Sequence, residues 1–227
     1  MSPRVLFVAG AHTDIGKTHV GCGLLRAARE QGWAVDALKP VVSGFDEQDW
    51  DDSDPGRLLG AAARPLTGEN LDAISPWRFA APLAPPTAAG MEARALAFGP
   101  VIDFCRRRTA ASRADLILVE GVGGLMSPIA DGATSLDLLE ALACRSVLVG
   151  GSYLGAISHT LTALEVMRAR DLAPGVLLIS QSADPSAPDF GTSVALVAEH
   201  TGKTPVIPVW RGEGPDWAQL VLNAVPG

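Results

Sequence analysis

The apolar run from Arg4 to Ala9 leads straight into Gly10-Ala11-His12-Thr13-Asp14-Ile15-Gly16-Lys17-Thr18, and a helical pattern follows. A strand, a turn and a helix opening on Gly-Lys-Thr read as a phosphate-binding loop. The turn aims free backbone N–H groups inward, the lysine ammonium meets the outer phosphates, and the Thr hydroxyl helps hold Mg2+. The spacing is irregular, because the usual motif puts a first Gly four residues before Gly-Lys-Thr. Here that position is Ala11, and Gly10 comes one residue early.

Further short apolar runs recur at Val35 to Leu38, Leu116 to Val119, Ser146 to Gly150, Val176 to Ile179 and Val206 to Val209. Thr18 to Gln31, Ser135 to Ala143, Ile157 to Ala169 and Asp189 to Thr201 have helical length and period, with Gly32 and Gly202 as stops. This alternation predicts an α/β fold of the P-loop NTPase type: a mainly parallel sheet with helices on both faces. In such a sheet ligands sit at the carboxyl ends of the strands. The 227 residues suit a single domain spanning 1–227. Phe45 to Pro55, acidic and aperiodic, and Ala80 to Ala89, rich in Pro and Ala, read as surface loops.

Composition narrows the function. Without a long apolar run or a leader-like N-terminus, a cytoplasmic protein with no membrane contact is expected. Cys22, Cys105 and Cys144 are odd in number and far apart, which fits reduced, buried thiols. A net charge of −7 argues against a nucleic-acid partner. The basic run Arg106-Arg107-Arg108 follows a helical pattern from Met91 to Cys105 and reads as cations at a helix C-terminus. Of 18 basic residues only Lys17, Lys39 and Lys203 are lysines, so a lysine marks a place that needs a compact ammonium. Lys203, in a Gly-Lys-Thr-Pro turn, shows that the rule leaks.

Lys39 and Ser43 follow the second apolar run in Lys39-Pro40-Val41-Val42-Ser43-Gly44, within reach of the phosphates. Glu120, ending the run Leu116 to Val119, is placed as the carboxylate arm of a Mg2+ site opposite Thr18. Asp54 could supply another carboxylate, but before Pro55 its spacing favours an N-cap. His12, His19, His159 and His200 share no ligand spacing, and His19 and His200 read as helix surface residues.

Taken together, the phosphate loop, Lys39 to Gly44, Ser53-Asp54 and Val119-Glu120-Gly121-Val122-Gly123-Gly124 resemble dethiobiotin synthetase, in order and spacing, from Val5 to about Pro208. Phe79 to Thr87 and Leu154 to His159 share the likeness. The resemblance implies a homodimeric ligase of biotin biosynthesis that closes a ureido ring on 7,8-diaminononanoate with CO2 or bicarbonate, using ATP and Mg2+. It implies that Lys17 bridges phosphates and carbamate, that Lys39 stabilises the transferring phosphoryl group, and that Thr13 and Ser43 hold the reacting amines. Asp14, Ile15, Gly16, Lys17, Thr18, His19 and Glu120 would line the nucleotide. Thr18, Asp54 and Glu120 would hold Mg2+, which reverses the capping preference for Asp54. Gly123 and the partner subunit's Gly155-to-Ser158 turn would hold the far carboxylate. Under this reading the extra loop residue aims Thr13 and Asp14 at the second substrate.

The chain departs from the pattern at two places. Many members read adenine with an Asn where this chain has Ile179-Ser180-Gln181, leaving Ser180 or Gln181 for that contact and the Pro208 region to pack on the base. In the partner-subunit turn Ser158 replaces Asn. The alternative is a nucleotide-dependent switch like the partitioning ATPases and the nitrogenase iron protein. Those carry an extra lysine early in the loop, whereas Gly10-Ala11-His12 has none.

Overall fold

The computed structural model describes residues 3–212 and 216–224. Its elements run β1 (Arg4–Gly10), α1 (Lys17–Glu30), β2 (Val35–Leu38), β3 (Val41–Ser43), α2 (Asp54–Ala61), α3 (Gly68–Ile74), β4 (Trp77–Phe79) and α4 (Pro85–Met91). The chain continues through α5 (Phe98–Ala111), β5 (Leu116–Glu120), β6 (Pro128–Ala130), β7 (Ala133–Thr134), α6 (Ser135–Leu142), β8 (Arg145–Gly151) and α7 (Ala156–Ala169). It closes with β9 (Val176–Ser180), α8 (Phe190–His200), β10 (Val206–Val209) and α9 (Asp216–Ala224).

The six apolar runs form one sheet in the order β10-β9-β8-β1-β5-β2, and every neighbouring pair is parallel. Strand period sends alternate side chains to opposite faces. Phe7, Ala9, Ile117, Val119 and Leu148 pack on one side with residues of α5 to α8, such as Val101, Leu139, Leu164 and Val197. Leu6, Val8, Leu118 and Val147 pack on the other with α1, α2 and α9, through Leu24, Leu58 and Val221. Two cores therefore sandwich one fully covered parallel sheet, which explains why its strands read as continuous apolar runs.

Several boundaries differ from the sequence reading. Two small sheets, parallel β3–β4 and antiparallel β6–β7, lie outside the main one. The expected Ala80 to Ala89 loop contains α4, which starts on the two prolines Pro85 and Pro86, suited to a first helical turn. The helical pattern placed at Met91 to Cys105 is split: α4 ends at Met91 and α5 begins at Phe98. Arg106 to Arg108 thus lie inside α5 rather than beyond its end. Arg106 donates to the Ala141 carbonyl near the end of α6, and Arg108 pairs with Asp36. Of the cysteines, Cys22 and Cys105 are buried, and Cys144 is partly exposed. No helix among the described residues is long and apolar enough to cross a membrane.

Leu58 is fully buried where α2 meets α1 and β5. Leu58→Ala is expected to destabilise the fold by about 2–5 kcal/mol, the range for a buried leucine that leaves a cavity. Urea unfolding checks this, and a loss near zero would mean that α2 is not anchored through Leu58.

Candidate active site

Four chain segments meet at the carboxyl edge of the sheet. Thr18 is the second residue of α1, Lys39 follows β2, Asp54 opens α2 and Glu120 ends β5. Thr18 Oγ1 lies 2.7 Å from Asp54 Oδ1 and 2.8 Å from Glu120 Oε1. Lys39 Nζ lies 2.5 Å from Glu120 Oε1, 2.9 Å from Asp54 Oδ2 and 3.2 Å from the Gly121 carbonyl oxygen. Lys39 is 2% exposed and Glu120 fully buried. Burial alone would lower the Lys39 pKa, but the Glu120 and Asp54 carboxylates outweigh it and raise that pKa above its ordinary value. Burial likewise works against ionisation of Asp54, yet Lys39 and the Thr18 hydroxyl hold that carboxyl down at about 2.

The donor count shows that this cluster suits a divalent cation. One hydroxyl proton cannot serve both carboxylate oxygens that lie within 2.8 Å of Thr18 Oγ1. Glu120 Oε2 is buried without any hydrogen-bond partner, which is costly unless something charged meets it. A hydroxyl and two carboxylates form the hard oxygen set that Mg2+ takes alongside phosphate oxygens. Among the described residues there is no cluster of three or more His, Cys, Asp or Glu arranged for a metal. The protein share of the site is therefore small, as expected where a nucleotide supplies the remaining ligands.

Gly10 explains the irregular loop. A Cβ there would come 2.7 Å from Lys17 Cδ and 3.1 Å from Lys17 Cγ, so the missing side chain is the channel along which the lysine stem runs. Asp14 and Gly16 take positive φ of 55° and 97°, turning the loop into α1. Among the described residues, Lys17 Nζ donates only to the His12 carbonyl, at 3.2 Å. Burial, reinforced by the nearby positive charge of Lys39, brings its pKa down to about 8.

Residues 4–210 match a family model described as an AAA domain. A protein of Phenylobacterium zucineum named ATP-dependent dethiobiotin synthetase BioD is 50% identical over 219 residues, covering 96% of this chain and 94% of its own length. A Caulobacter vibrioides protein of the same name is 48% identical, covering 96% of this chain and 97% of its own. The chain belongs to the ATP-dependent dethiobiotin synthetase family. Solved P-loop structures share its fold at low identity. The MinC:MinD cell division complex of Aquifex aeolicus gives a TM-score of 0.54 at 11% identity, covering 96% of this chain and 86% of that one. The hydrogenase maturation factor HypB of Archaeoglobus fulgidus gives 0.53 at 14%, covering 99% and 91%.

Within this dethiobiotin synthetase fold, the remaining expected residues fall into two groups. On the nucleotide side a cavity of about 270 Å3 is lined by Asp14, Gly16, Lys17, Thr18, His19 and Ser180. Ile15 is buried in the core beneath the loop. Val209 lines the cavity in place of Pro208, which lies one residue earlier in β10. Gln181 is occupied: its side-chain oxygen accepts from the Arg211 backbone N–H and its main-chain oxygen from Arg211 Nε, each at 2.9 Å. Arg211 and Arg57 line the same cavity and were missed in the sequence. Arg211 follows β10 and could have been found by the strand-end rule, and Arg57 lies one helical turn after Asp54. His19 is exposed in the first turn of α1, as expected of a helix surface residue, and partial desolvation of its ring, then Arg211, Arg26 and Arg57, lower its pKa.

On the opposite side, a Cβ on Gly123 would come 3.5 Å from Thr13 Oγ1, so loop and glycine turn face each other. Asp14 lines the first cavity with Lys17 and Thr18, whereas Thr13 lines another with Ala11, His12 and Gly124. Ser43 ends β3, and no hydrogen bond joins it to the phosphate loop among the described residues. Ser158 is exposed in the first turn of α7. The histidines hold a surprise: the His12 and His159 rings stack, 7° from parallel with centroids 5.2 Å apart, and Tyr153 Oη lies 2.7 Å from His159 Nδ1. No spacing signal could have paired positions so distant in sequence. The spacing-based cap is also corrected: Ser53 is the N-cap of α2, accepting from Gly56 N at 3.2 Å, which leaves the Asp54 carboxylate free for Thr18 and Lys39.

Lys17 gives a prediction with a definite sign. A lysine whose folded pKa, about 8, lies below its unfolded value of 10.5 destabilises the fold while it is charged. The cost, of the order of 3 kcal/mol at 1.36 kcal/mol per pKa unit, is fully present below pH 8 and fades as pH rises toward 10.5. Lys17→Met should therefore make the nucleotide-free protein about 1–3 kcal/mol more stable at pH 7 while abolishing triphosphate binding. Denaturant curves and nucleotide titration check the two halves, and a destabilised variant would refute the sign.

Proposed function

We propose that this chain is a dethiobiotin synthetase acting on 7,8-diaminononanoate and CO2, as a cytoplasmic homodimer with the substrate near the interface. Biotin biosynthesis is the process it serves, and the whole chain acts as one catalytic domain. The observation that carries the reading is the buried Lys39, held by Glu120 and Asp54 beside Thr18 and a second lysine, Lys17, in a chain with three lysines in all.

The chemistry needs that arrangement. One amine of the diamine adds to CO2 and loses a proton, giving a carbamate. A carbamate oxygen attacks the γ-phosphorus of ATP and ADP leaves. The second amine then attacks the carbonyl of the carbamic-phosphoric anhydride, and expulsion of phosphate closes the ring. Such transfer depends on positioning and charge stabilisation rather than on a covalent protein nucleophile. Thr18, Asp54 and Glu120 would hold Mg2+, which would supply charge neutralisation on the phosphates. Lys17 lies against the outer phosphates and the carbamate, and Lys39 stabilises the transferring phosphoryl group. Thr13 and Ser43 orient the reacting amines, while Gly123 and the Gly155-to-Ser158 turn of the partner subunit hold the carboxylate. Ser180, Val209 and Arg211, which line the same cavity as Lys17, would contact the base.

Lys39 spends its three N–H donors on Glu120, Asp54 and the Gly121 carbonyl. A cation taken up by both acids would free the ammonium for the phosphoryl group, so filling of the metal site would arm the catalytic lysine.

Phosphate release should require 7,8-diaminononanoate and bicarbonate together; vigorous hydrolysis of ATP without the diamine would instead favour the switch ATPase reading. Lys39→Gln should retain measurable nucleotide binding while kcat falls about 10²–10³-fold, the cost of removing one donor to a developing charge. Unchanged kcat would take Lys39 out of the reaction.

A further inference from the structure

A second cavity, of about 320 Å3, lies at the amino ends of the strands, on the edge of the sheet opposite Lys39 and Glu120. Its walls are apolar: Val5 and Leu6 of β1, Leu116 of β5, Leu142 at the end of α6, Trp33 before β2 and Leu222 of α9. Its charged groups are both cationic, Arg4 and Arg145, with the Cys144 thiol beside them. The strand register brings these two together. Arg4 pairs with Leu116 and Leu6 with Arg145, so Arg4, Leu6, Leu116 and Arg145 sit on adjacent strands and share one face.

Neither guanidinium meets a carboxylate among the described residues, although the chain carries an excess of acids. The Arg4 guanidinium lies 4.7 Å over the centre of the Trp33 ring. That contact fixes its plane and leaves its edge N–H groups free to donate. Arg57 and Arg211, also without ion pairs among the described residues, line a cavity as well, and theirs is the one that takes the nucleotide in the reading above. An apolar cavity with a few convergent polar groups is the general form of a small-molecule site. Here the charged groups are two forks that suit a carboxylate and the walls suit a hydrocarbon chain. An amine would be repelled.

We propose that this cavity is a second binding site, distinct from the catalytic one, for a medium-chain aliphatic monocarboxylate whose carboxylate meets Arg4 and Arg145. The strands that carry these arginines, β1 and β8, carry the phosphate loop at the other end of β1 and the Tyr153 turn just beyond β8, so an occupant touches the same rigid elements from below.

The test is calorimetric titration of octanoate into the full-length protein saturated with Mg·ADP and 7,8-diaminononanoate, so that the catalytic groove is filled. Saturable binding of one octanoate per chain is expected. Arg4→Gln/Arg145→Gln should weaken it about tenfold or more, the scale of a charge-assisted hydrogen bond, with turnover unchanged as proof of folding. If loss of the Trp33 contact unsettles the double variant, Arg145→Gln alone carries the test. Octanol and octylamine should fail to bind. Absence of octanoate binding, equal binding of octanoate and octanol, equal binding by the arginine variant, or displacement of octanoate by raising the diamine concentration would each overturn the proposal. None of these outcomes depends on which reaction the chain catalyses.

Discussion

The buried contact of Lys39 with Glu120 and Asp54 decides how the edge of this sheet is built. Taking Lys39 and Glu120 out of water is expensive, and the buried ammonium is tolerable only because Glu120 lies 2.5 Å from it and the partly exposed Asp54 2.9 Å. Removing one partner leaves an uncompensated charge, typically worth 3–5 kcal/mol, so the cluster locks β2, β5 and α2 into one relative position. Thr18 ties α1 into the same knot. The four elements that must converge on a triphosphate are thus held together by the groups that would handle it.

How much of this was legible in the sequence follows from how local each signal is. The inner strands were readable because a doubly covered parallel strand must be apolar at every position, as in Leu116 to Val119. Thr134 and Asp137 form a capping box that agrees with the Ser135 helix start. The short pieces were not readable: β3 and β4 have three residues each, and their pairing joins positions some 36 apart, beyond any periodicity. The split between α4 and α5 was hidden because residues 92 to 97, Glu-Ala-Arg-Ala-Leu-Ala, suit a helix equally well.

The acids show the same limit at the level of the site. Ser53 and Asp54 are both good N-caps, and nothing local says which one caps. The choice is made by Lys39 and Thr18, one on a neighbouring strand end and the other 36 residues earlier, which claim the Asp54 carboxylate and leave the cap to Ser53. Family resemblance carried that information where spacing could not. The His12–Tyr153–His159 cluster had neither kind of signal, because it acts through neighbours that only the folded chain supplies.

The two lysines complete the logic by moving in opposite directions. The same carboxylates that raise the pKa of Lys39 are spent on it, so Lys17, a few ångströms of side chain away from relief, is left with the His12 carbonyl and a pKa near 8. A buried ammonium without an anion is a destabilised group, and the missing Cβ of Gly10 commits its stem to one path. The phosphates of a nucleotide are the anion it lacks. On the proposed reading, binding would relieve a cost already present in the empty loop and so make Lys17 selective for charge, while Lys39, satisfied until a cation took its partners, would enter only with the metal and the nucleotide both in place.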